Sequence, residues 1–166
     1  AGVVQAFGGL DVLVNNAGVM VTDEPHEAQI ADFDHVLGVN LRGAFLCAQA
    51  AIQHFLDARH AGVIVNVTAT HELVPLPEGI AYQASKAGLG GLTRTLALRY
   101  ARDGIRVVAV GPGTVRSPMH PELDADPQQL RRHERAIPMG RVAAPEEIAA
   151  AIAFLASDEA SYVTGQ

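Results

Sequence analysis

The sequence has few of the features that mark nucleic-acid-binding, membrane or disulfide-rich proteins. It has no tryptophan, one cysteine and 5% aromatic residues, and its formal net charge of -6 comes without any basic run. The acidic balance argues against nucleic acid and anionic membrane surfaces as partners. No apolar run reaches transmembrane length, and the sequence opens without a signal peptide. A start at Ala1 instead of Met leaves processing or truncation open.

The single cysteine and the scattered histidines limit the possible disulfide and metal chemistry. Cys47 has no second cysteine to pair with, so an internal disulfide is excluded. It sits among apolar residues at helical spacing, which predicts a small core side chain in a reducing, cytoplasmic compartment. The seven histidines show no metal-ligand spacing, so the sequence predicts no metal site. With 166 residues and no repeats or linkers, the chain is predicted to be one domain.

Short apolar runs alternate with longer amphipathic segments, which predicts an α/β fold. Three nearly continuous apolar runs, at residues 10–15, 62–67 and 105–110, are typical of parallel strands covered on both faces. Helices are predicted at residues 1–7, 29–58, 82–102, 128–135 and 145–157. Together these elements predict a Rossmann-like, doubly wound parallel sheet that is incomplete, with its first strands and its last strand missing.

The clearest chemical signal is the pair formed by Tyr82 and Lys86. The two residues are four apart, so on a helix they share one face. A free tyrosine titrates near pH ~10, and a neighbouring ammonium lowers that pKa by favouring the phenolate. The pair is therefore a candidate general acid/base. Taken alone, the same spacing is more often an exposed helix pair.

Three other motifs accompany the pair. An N-N-A-G motif at residues 15–18 ends the first strand, where open α/β sheets bind their ligands. Asn40 lies in mid-helix, where its side chain competes for the backbone, which predicts a bend or a water site. A G-P-G motif at residues 111–113 follows the third strand and permits close approach of the backbone to a ligand. Each motif has a structural alternative: a turn after a strand, a plain helix irregularity or a tight surface loop.

In this order the motifs resemble the short-chain dehydrogenase/reductase family, and the resemblance covers residues 1–166 as the C-terminal part of such a domain. The family implies that Tyr82 exchanges a proton with the substrate oxygen, while Lys86 lowers the tyrosine pKa and binds the nicotinamide ribose. It implies that Asn40 bends its helix and holds a water of a proton relay. It also implies NAD or NADP as the cofactor and a small-molecule carbonyl or alcohol as the substrate. The cofactor contacts that the resemblance implies fall on Asn16, Ala17, Gly18, Tyr82, Lys86, Pro112, Gly113, Val115 and Ser117.

The sequence departs from the family pattern at the catalytic serine. Laying residues 66–69 on the family's N-x-S-S run puts Ala69 where the serine is expected. Losing one such hydrogen-bond donor typically costs ~2.7–4 kcal/mol of transition-state stabilisation. Thr68 and Thr70 flank the alanine, but alternate side chains of an extended chain point to opposite faces. Thr70 is the expected substitute if the backbone turns there, and impaired or altered chemistry is the alternative.

A second departure is that no glycine-rich phosphate-binding turn precedes Asn15. We therefore expect an N-terminally truncated fragment of a longer protein, which alone is marginally stable or associates and binds dinucleotide poorly. Several stretches resemble bacterial glucose 1-dehydrogenases, while 3-oxoacyl-carrier-protein reductases share much of the C-terminal part, so a sugar and a 3-oxoacyl substrate both stay open. The family implies a homotetramer of the full-length form, packed through the helices that hold Asn40 and Tyr82. A non-catalytic binding or scaffold module is the alternative from another class, because of Ala69 and the missing turn.

Overall fold

The computed structural model describes residues 2–166 and is built around a parallel sheet. The sheet contains β1 (Val12–Asn15), β2 (Gly62–Val67) and β3 (Ile105–Val110), in the order β1-β2-β3. Val65 in β2 pairs with Val14 on one side and with Val108 on the other. The predicted parallel sheet and its three strands are confirmed. Their β-branched residues pack well in strands that are covered by other elements.

Helices precede, connect and follow the strands. They are α1 (Gly2–Phe7), α2 (Ile30–Leu37), α3 (Ala44–Ala58), α4 (Ile80–Tyr100), α5 (Glu122–Ala125), α6 (Pro127–Ala136) and α7 (Pro145–Ala156). Short 3-10 turns lie at Thr70–Glu72, Ala101–Asp103 and Asp158–Ala160. The predicted helices are all present with small shifts at their ends. The long helix predicted at residues 29–58 is α2 and α3 joined by a π-helical segment, Gly38–Gly43.

The main core lies between the sheet and helices α3 and α4. Phe55 of α3 and Ile64 of β2 are both fully buried in it. A Cβ at Gly62 would overlap the Phe55 ring, so glycine lets the helix pack tightly on β2. Because burying apolar surface contributes about 25 cal/mol per Å², this contact helps to hold α3 on the sheet.

Two surface features complete the fold. Val12 and Val14 of the edge strand β1 are 37% and 40% exposed, whereas the central residues of β2 and β3 are buried. Beside the opposite edge, the Gly165 amide donates to the Val107 carbonyl (2.8 Å), so the last residues lie along β3. In the described part of the chain, no helix combines the length and the hydropathy that a membrane crossing requires.

One prediction about the core is wrong. Cys47 is exposed on α3 instead of buried. The buried stripe of α3 runs through Ala44, Ala48 and Ile52, which repeat at a spacing of four residues. Cys47 lies one position before Ala48 and therefore on a different face of the helix.

Candidate active site

Helix α4 brings Tyr82 and Lys86 to the carboxyl end of the central strand. The helix follows Gly79, whose φ of +68° glycine adopts without steric cost. Tyr82 and Lys86 lie one turn apart and are 9% and 4% exposed. The Lys86 ammonium donates to the carbonyl of Val67, the last residue of β2, at 2.7 Å. The pair predicted from helical spacing is thus buried at the sheet edge where parallel sheets bind ligands.

Burial governs the protonation of this pair. It lowers the pKa of Lys86 to about 8 and raises the pKa of Tyr82 above its usual value. The net lowering of the Tyr82 pKa that the resemblance implied is therefore absent from this structure, because burial raises it. The ammonium lies over the Tyr82 ring, 5.5 Å from its centroid, and its hydrogen bond goes to Val67. Desolvation of the phenol consequently prevails.

Asn40 joins the loop after β1 to α4. It is 1% exposed and lies in the π-helical segment, so the helix is irregular where the sequence predicted it. Its Oδ1 accepts from the Val19 amide (2.8 Å), and its Nδ2 donates to the Val19 carbonyl (2.9 Å) and to Ser85 Oγ (3.0 Å). Ser85 Oγ donates in turn to the Tyr82 carbonyl (2.6 Å). Single π-helical turns are frequent at functional sites, and this one positions the tyrosine's helix.

A second polar network lies under the site and was missed by sequence reasoning. Asn15 and Asn66 face each other across β1 and β2, and Asn15 Nδ2 donates to Asn66 Oδ1 at 2.8 Å. Asn66 Nδ2 donates to Thr93 Oγ1 at 2.8 Å, which ties both strands to α4. The available signal was an asparagine near the end of each of two apolar runs. Buried side-chain amides require hydrogen-bond partners, so two such asparagines on neighbouring strands could have been predicted to bond to each other.

The loop after β1 comes close to the pair Tyr82 and Lys86 at Gly18. Asn16 and Ala17 are exposed at the end of the strand, whereas Gly18 is half-buried. An ideal Cβ on Gly18 would lie 3.5 Å from both Lys86 Nζ and Asn40 Oδ1. The N-N-A-G motif therefore brings its backbone, without an intervening side chain, towards the lysine.

The loop after β3 forms the other side of the site. The Thr70 amide donates to the Pro112 carbonyl (3.0 Å), which joins this loop to the end of β2. Gly113 is exposed beside Thr70, whose Cγ2 lies 4.0 Å from an ideal Cβ on that glycine. Val115 is half-buried and forms an isolated parallel bridge with Ala143. Ser117 is half-buried two residues further along.

Ala69 lies beside Tyr82, at the position expected for a catalytic serine. It is 7% exposed and belongs to the same buried cluster as Tyr82. Its backbone is extended (φ -162°, ψ 163°), so the side chains of Thr68 and Thr70 point to the face opposite its own. Thr68 Oγ1 donates instead to the Val110 carbonyl (3.2 Å), and Thr70 is exposed. The structure thus presents a methyl group, and no hydroxyl from either threonine, on this side of Tyr82.

The residues at this edge fit the nicotinamide ribose half of NAD(P). An ammonium carries three N–H donors, and Lys86 uses one of them on Val67, which leaves donors for ribose hydroxyls. Gly18 offers open backbone beside that ammonium. Within residues 2–166 the Tyr82 hydroxyl has no hydrogen-bond partner and is available to a substrate oxygen. The described residues include no glycine-rich turn before β1 for the pyrophosphate, and no group of three or more His, Cys, Asp or Glu suited to a metal ion.

A parallel sheet with ligand-facing loops at its carboxyl edge defines a Rossmann-type α/β protein. The family model described as enoyl-(acyl carrier protein) reductase matches residues 1–166. The chain belongs to the short-chain dehydrogenase/reductase family, as the motifs indicated.

Similar proteins act on different substrates according to their names. The chain is 51% identical to 3beta-hydroxysteroid dehydrogenase 1 of Eggerthella lenta, covering 96% of this chain and 61% of that protein. It is 42% identical to glucose 1-dehydrogenase 2 of Bacillus subtilis, covering 98% of this chain and 63% of that protein. A solved structure of a proposed 2-deoxy-D-gluconate 3-dehydrogenase from Agrobacterium tumefaciens with bound NADP superimposes with a TM-score of 0.90 at 34% identity, covering 96% of this chain and 66% of that one. The chain thus spans about three-fifths of the length of the curated relatives it matches.

Proposed function

We propose that the protein is an NAD(P)-dependent oxidoreductase that interconverts a secondary alcohol and a carbonyl compound. The observation that carries this proposal is the burial of Tyr82 and Lys86, one helical turn apart, at the carboxyl end of β2. Family membership and the NADP in solved relatives support NAD or NADP as the cofactor. When bound, this cofactor accepts or supplies the hydride.

Tyr82 serves as the acid/base. Because burial raises its pKa, the phenol is protonated at neutral pH and can donate its proton to a carbonyl oxygen. In the direction of alcohol oxidation it must first lose that proton, and the charge of Lys86 below pH about 8 then stabilises the phenolate. The remaining N–H donors of Lys86 bind the nicotinamide ribose hydroxyls. Tyr82 therefore transfers the proton, while Lys86 stabilises the phenolate and binds the cofactor.

Asn40 has a positioning role and a proposed place in the proton relay. Its Nδ2 uses both hydrogens, on Val19 and Ser85, whereas its Oδ1 accepts only from Val19 among the described residues. A carbonyl-type oxygen has two lone pairs, so one is left for the relay water. The nearness of Gly18 to both Asn40 Oδ1 and Lys86 Nζ supports a path between them.

The two loops bind the cofactor on either side of the tyrosine. We assign the adenosine-side contacts to Asn16, Ala17 and Gly18, which follow β1. The nicotinamide amide is assigned to the loop after β3. Its contacts are proposed for Pro112, Gly113, Val115 and Ser117.

The donor missing at Ala69 has one remaining candidate. Thr70 is near Gly113 in the loop after β3, and a change in the 3-10 turn that it begins would bring its hydroxyl towards the substrate. Without that change the enzyme works with Tyr82 as the single donor to the substrate oxygen. Ala69 also favours the second candidate function, a non-catalytic binding module.

For the complete protein we propose a short-chain dehydrogenase/reductase domain of which residues 1–166 form part. We propose a cytoplasmic homotetramer. The exposed apolar side chains of Phe45 and Leu46 on α3 support packing through the helices at Asn40 and Tyr82. Its substrate is a small molecule, and a sugar and a 3-oxoacyl compound are the two classes expected from sequence.

The proposal is tested by titrating NADH and NADPH against the complete gene product and following fluorescence, then assaying alcohol oxidation. We expect Tyr82→Phe to retain cofactor binding and lose turnover, and Lys86→Met to weaken both. Tyr162→Phe is the matched control, because Tyr162 is 102% exposed and should change neither. Cofactor binding without turnover of any alcohol would favour the non-catalytic module. Failure to bind either dinucleotide would refute the proposal.

A further inference from the structure

We propose that the substrate is a bulky apolar alcohol or ketone, recognised through its reacting oxygen alone, and that it is not a polyhydroxylated sugar. This inference rests on the proposed function and specifies its substrate class. Four observations support it: the apolar cluster around Tyr82, the pairing of buried polar groups, the chemistry of the loop after β2, and the pairing of polar groups in the segment after β3.

The first observation concerns the surroundings of Tyr82. Its buried neighbours in the cluster are Val36, Ala69 and Ala81, all apolar. Half-buried apolar side chains from three further places pack on this cluster: the loop after β1, helix α2 and the segment after β3. They are Val19, Met20, Val21, Phe33 and Met119. A ligand oxygen that reaches Tyr82 therefore brings its carbon skeleton against valine and methionine side chains.

The second observation is that several buried polar side chains already form hydrogen bonds within the protein. Thr68 bonds to the Val110 carbonyl, and Ser85 bonds to Tyr82 and Asn40. Asn66 is held by Asn15 and Thr93. These buried side chains thus have protein partners, whereas among residues 2–166 the Tyr82 hydroxyl and the buried His54 Nε2 have none. Lys86 alone keeps several free donors, and we have assigned them to the cofactor.

The third observation concerns the loop between β2 and α4, which leads from Ala69 to Tyr82. The Gln83 amide accepts from the Leu76 N–H (2.7 Å) and donates to the Leu76 carbonyl (2.9 Å). His71 Nδ1 lies 3.0 Å from the Val74 carbonyl, within hydrogen-bond distance. The polar side chains therefore stabilise the loop itself. Meanwhile Leu73, Val74 and Leu76 are 82%, 61% and 48% exposed.

The fourth observation concerns the segment after β3, which supplies Met119. The next residue, His120, bonds through Nδ1 to Glu122 Oε1 at 2.9 Å. Arg116, three residues before Met119, bonds to Asp124 at 2.6 Å. The side chains of His120 and Arg116 are thus hydrogen-bonded to carboxylates, and the methionine between them packs against the Tyr82 cluster. A sugar would lose water from its hydroxyls here without gaining partners.

The test compares substrates with matched rings on the complete gene product, with NAD and with NADP. Cyclohexanol and myo-inositol share a six-carbon ring but differ in the number of hydroxyls, and 2-decalol extends the apolar skeleton. We expect kcat/KM to be highest for 2-decalol, at least about tenfold lower for cyclohexanol, and lower again for myo-inositol and D-glucose. Preference for D-glucose or myo-inositol would overturn the inference and leave the proposed oxidoreductase intact.

Substitution of two methionines tests where the substrate makes its apolar contact. Met119→Gln should reduce kcat/KM for 2-decalol by at least about tenfold, with a smaller effect on cyclohexanol. Met139→Gln is the control, because Met139 is 76% exposed and stands outside the Tyr82 cluster. Equal effects of the two substitutions would overturn the inference.

A binding measurement separates this inference from the proposed function. If no alcohol in the set is oxidised, the proposed function fails, and calorimetric binding of 2-decalone then decides the inference by itself. Binding that Met119→Gln weakens and Met139→Gln leaves unchanged would support the apolar site. Absence of binding to the wild-type protein would overturn it.

Discussion

Replacing Ala69 by serine should raise the rate of hydride transfer. The extended backbone at Ala69 accepts any residue without strain, and its side chain already belongs to the Tyr82 cluster. A serine Oγ there would face the substrate oxygen from the same side as the tyrosine. Removal of one such donor elsewhere costs about 100–1,000-fold in kcat. We therefore expect Ala69→Ser to increase kcat by a factor of that order, with little change in cofactor affinity.

The same substitution should have a measurable effect on stability. Ala69 is 7% exposed, so the added hydroxyl is largely buried. An unpartnered buried hydroxyl costs about 1–3 kcal/mol on protein scales. The Tyr82 hydroxyl is free among residues 2–166 and offers it a partner, which would reduce this cost. The free energy of unfolding should therefore fall by no more than about 3 kcal/mol.

The assay is steady-state oxidation of 2-decalol, with urea unfolding of the same preparations. Ala81→Ser is the matched control, because Ala81 has the same 7% exposure and the same cluster but lies on α4 beside Tyr82. It should resemble Ala69→Ser in stability without the gain in kcat. The reasoning is refuted if Ala69→Ser leaves kcat unchanged or lowers it while Thr70→Ala costs about 100-fold or more. That result would make Thr70 the missing donor.

Three further predictions concern how the site is held. Gly91→Ala should stabilise α4 by up to about 1 kcal/mol, because the added Cβ meets open space. Gly90→Ala should lack this gain, because its Cβ would overlap the Glu72 carboxylate. Thermal melts of the two variants compare them directly. Asn40→Ala leaves the half-buried backbone N–H and carbonyl of Val19 unpaired and should cost about 3 kcal/mol in urea unfolding. The same change at an exposed asparagine should stay within about 0.5 kcal/mol. Burial lowers the pKa of Lys86 to about 8 in the folded chain, below its unfolded value, so the unfolded chain binds more protons above pH 8. The free energy of unfolding should therefore rise by roughly 2 kcal/mol from pH 8 to 10. Lys86→Met should abolish that rise, and a wild-type stability that is flat or falling over the same pH range would contradict it.

What the sequence predicts well is local or follows a short repeat. The pair Tyr82 and Lys86 could be recognised because helical geometry alone puts residues four apart on one face. The irregular helix at Asn40 could be predicted because asparagine and its flanking glycines disfavour regular helix. The orientation of Thr68 and Thr70 away from Ala69 follows from the two-residue repeat of an extended chain.

What the sequence does not predict depends on the direction in which a side chain leaves its helix. The pKa of Tyr82 is such a case, because it is raised by how deeply the phenol is buried. The exposure of Cys47 is another, because one position along α3 decides between core and surface. The link from Asn66 to Thr93 joins elements that are distant in the sequence, and no periodic pattern encodes it.

The arrangement of polar groups explains how a buried site can hold few free hydrogen-bonding atoms. Asparagines and serine join the loop after β1, the strand β2 and the helix α4, and each bond occupies a polar group that is then unavailable to a ligand. Rigid placement of Tyr82 and Lys86 therefore comes at the expense of polar recognition elsewhere in the site. A substrate with many hydroxyls would need partners that this framework has already used. The same network that positions the acid/base pair thus favours a substrate with one polar oxygen. A gain in kcat for Ala69→Ser would measure how far a second hydrogen-bond donor can be added without disturbing this network.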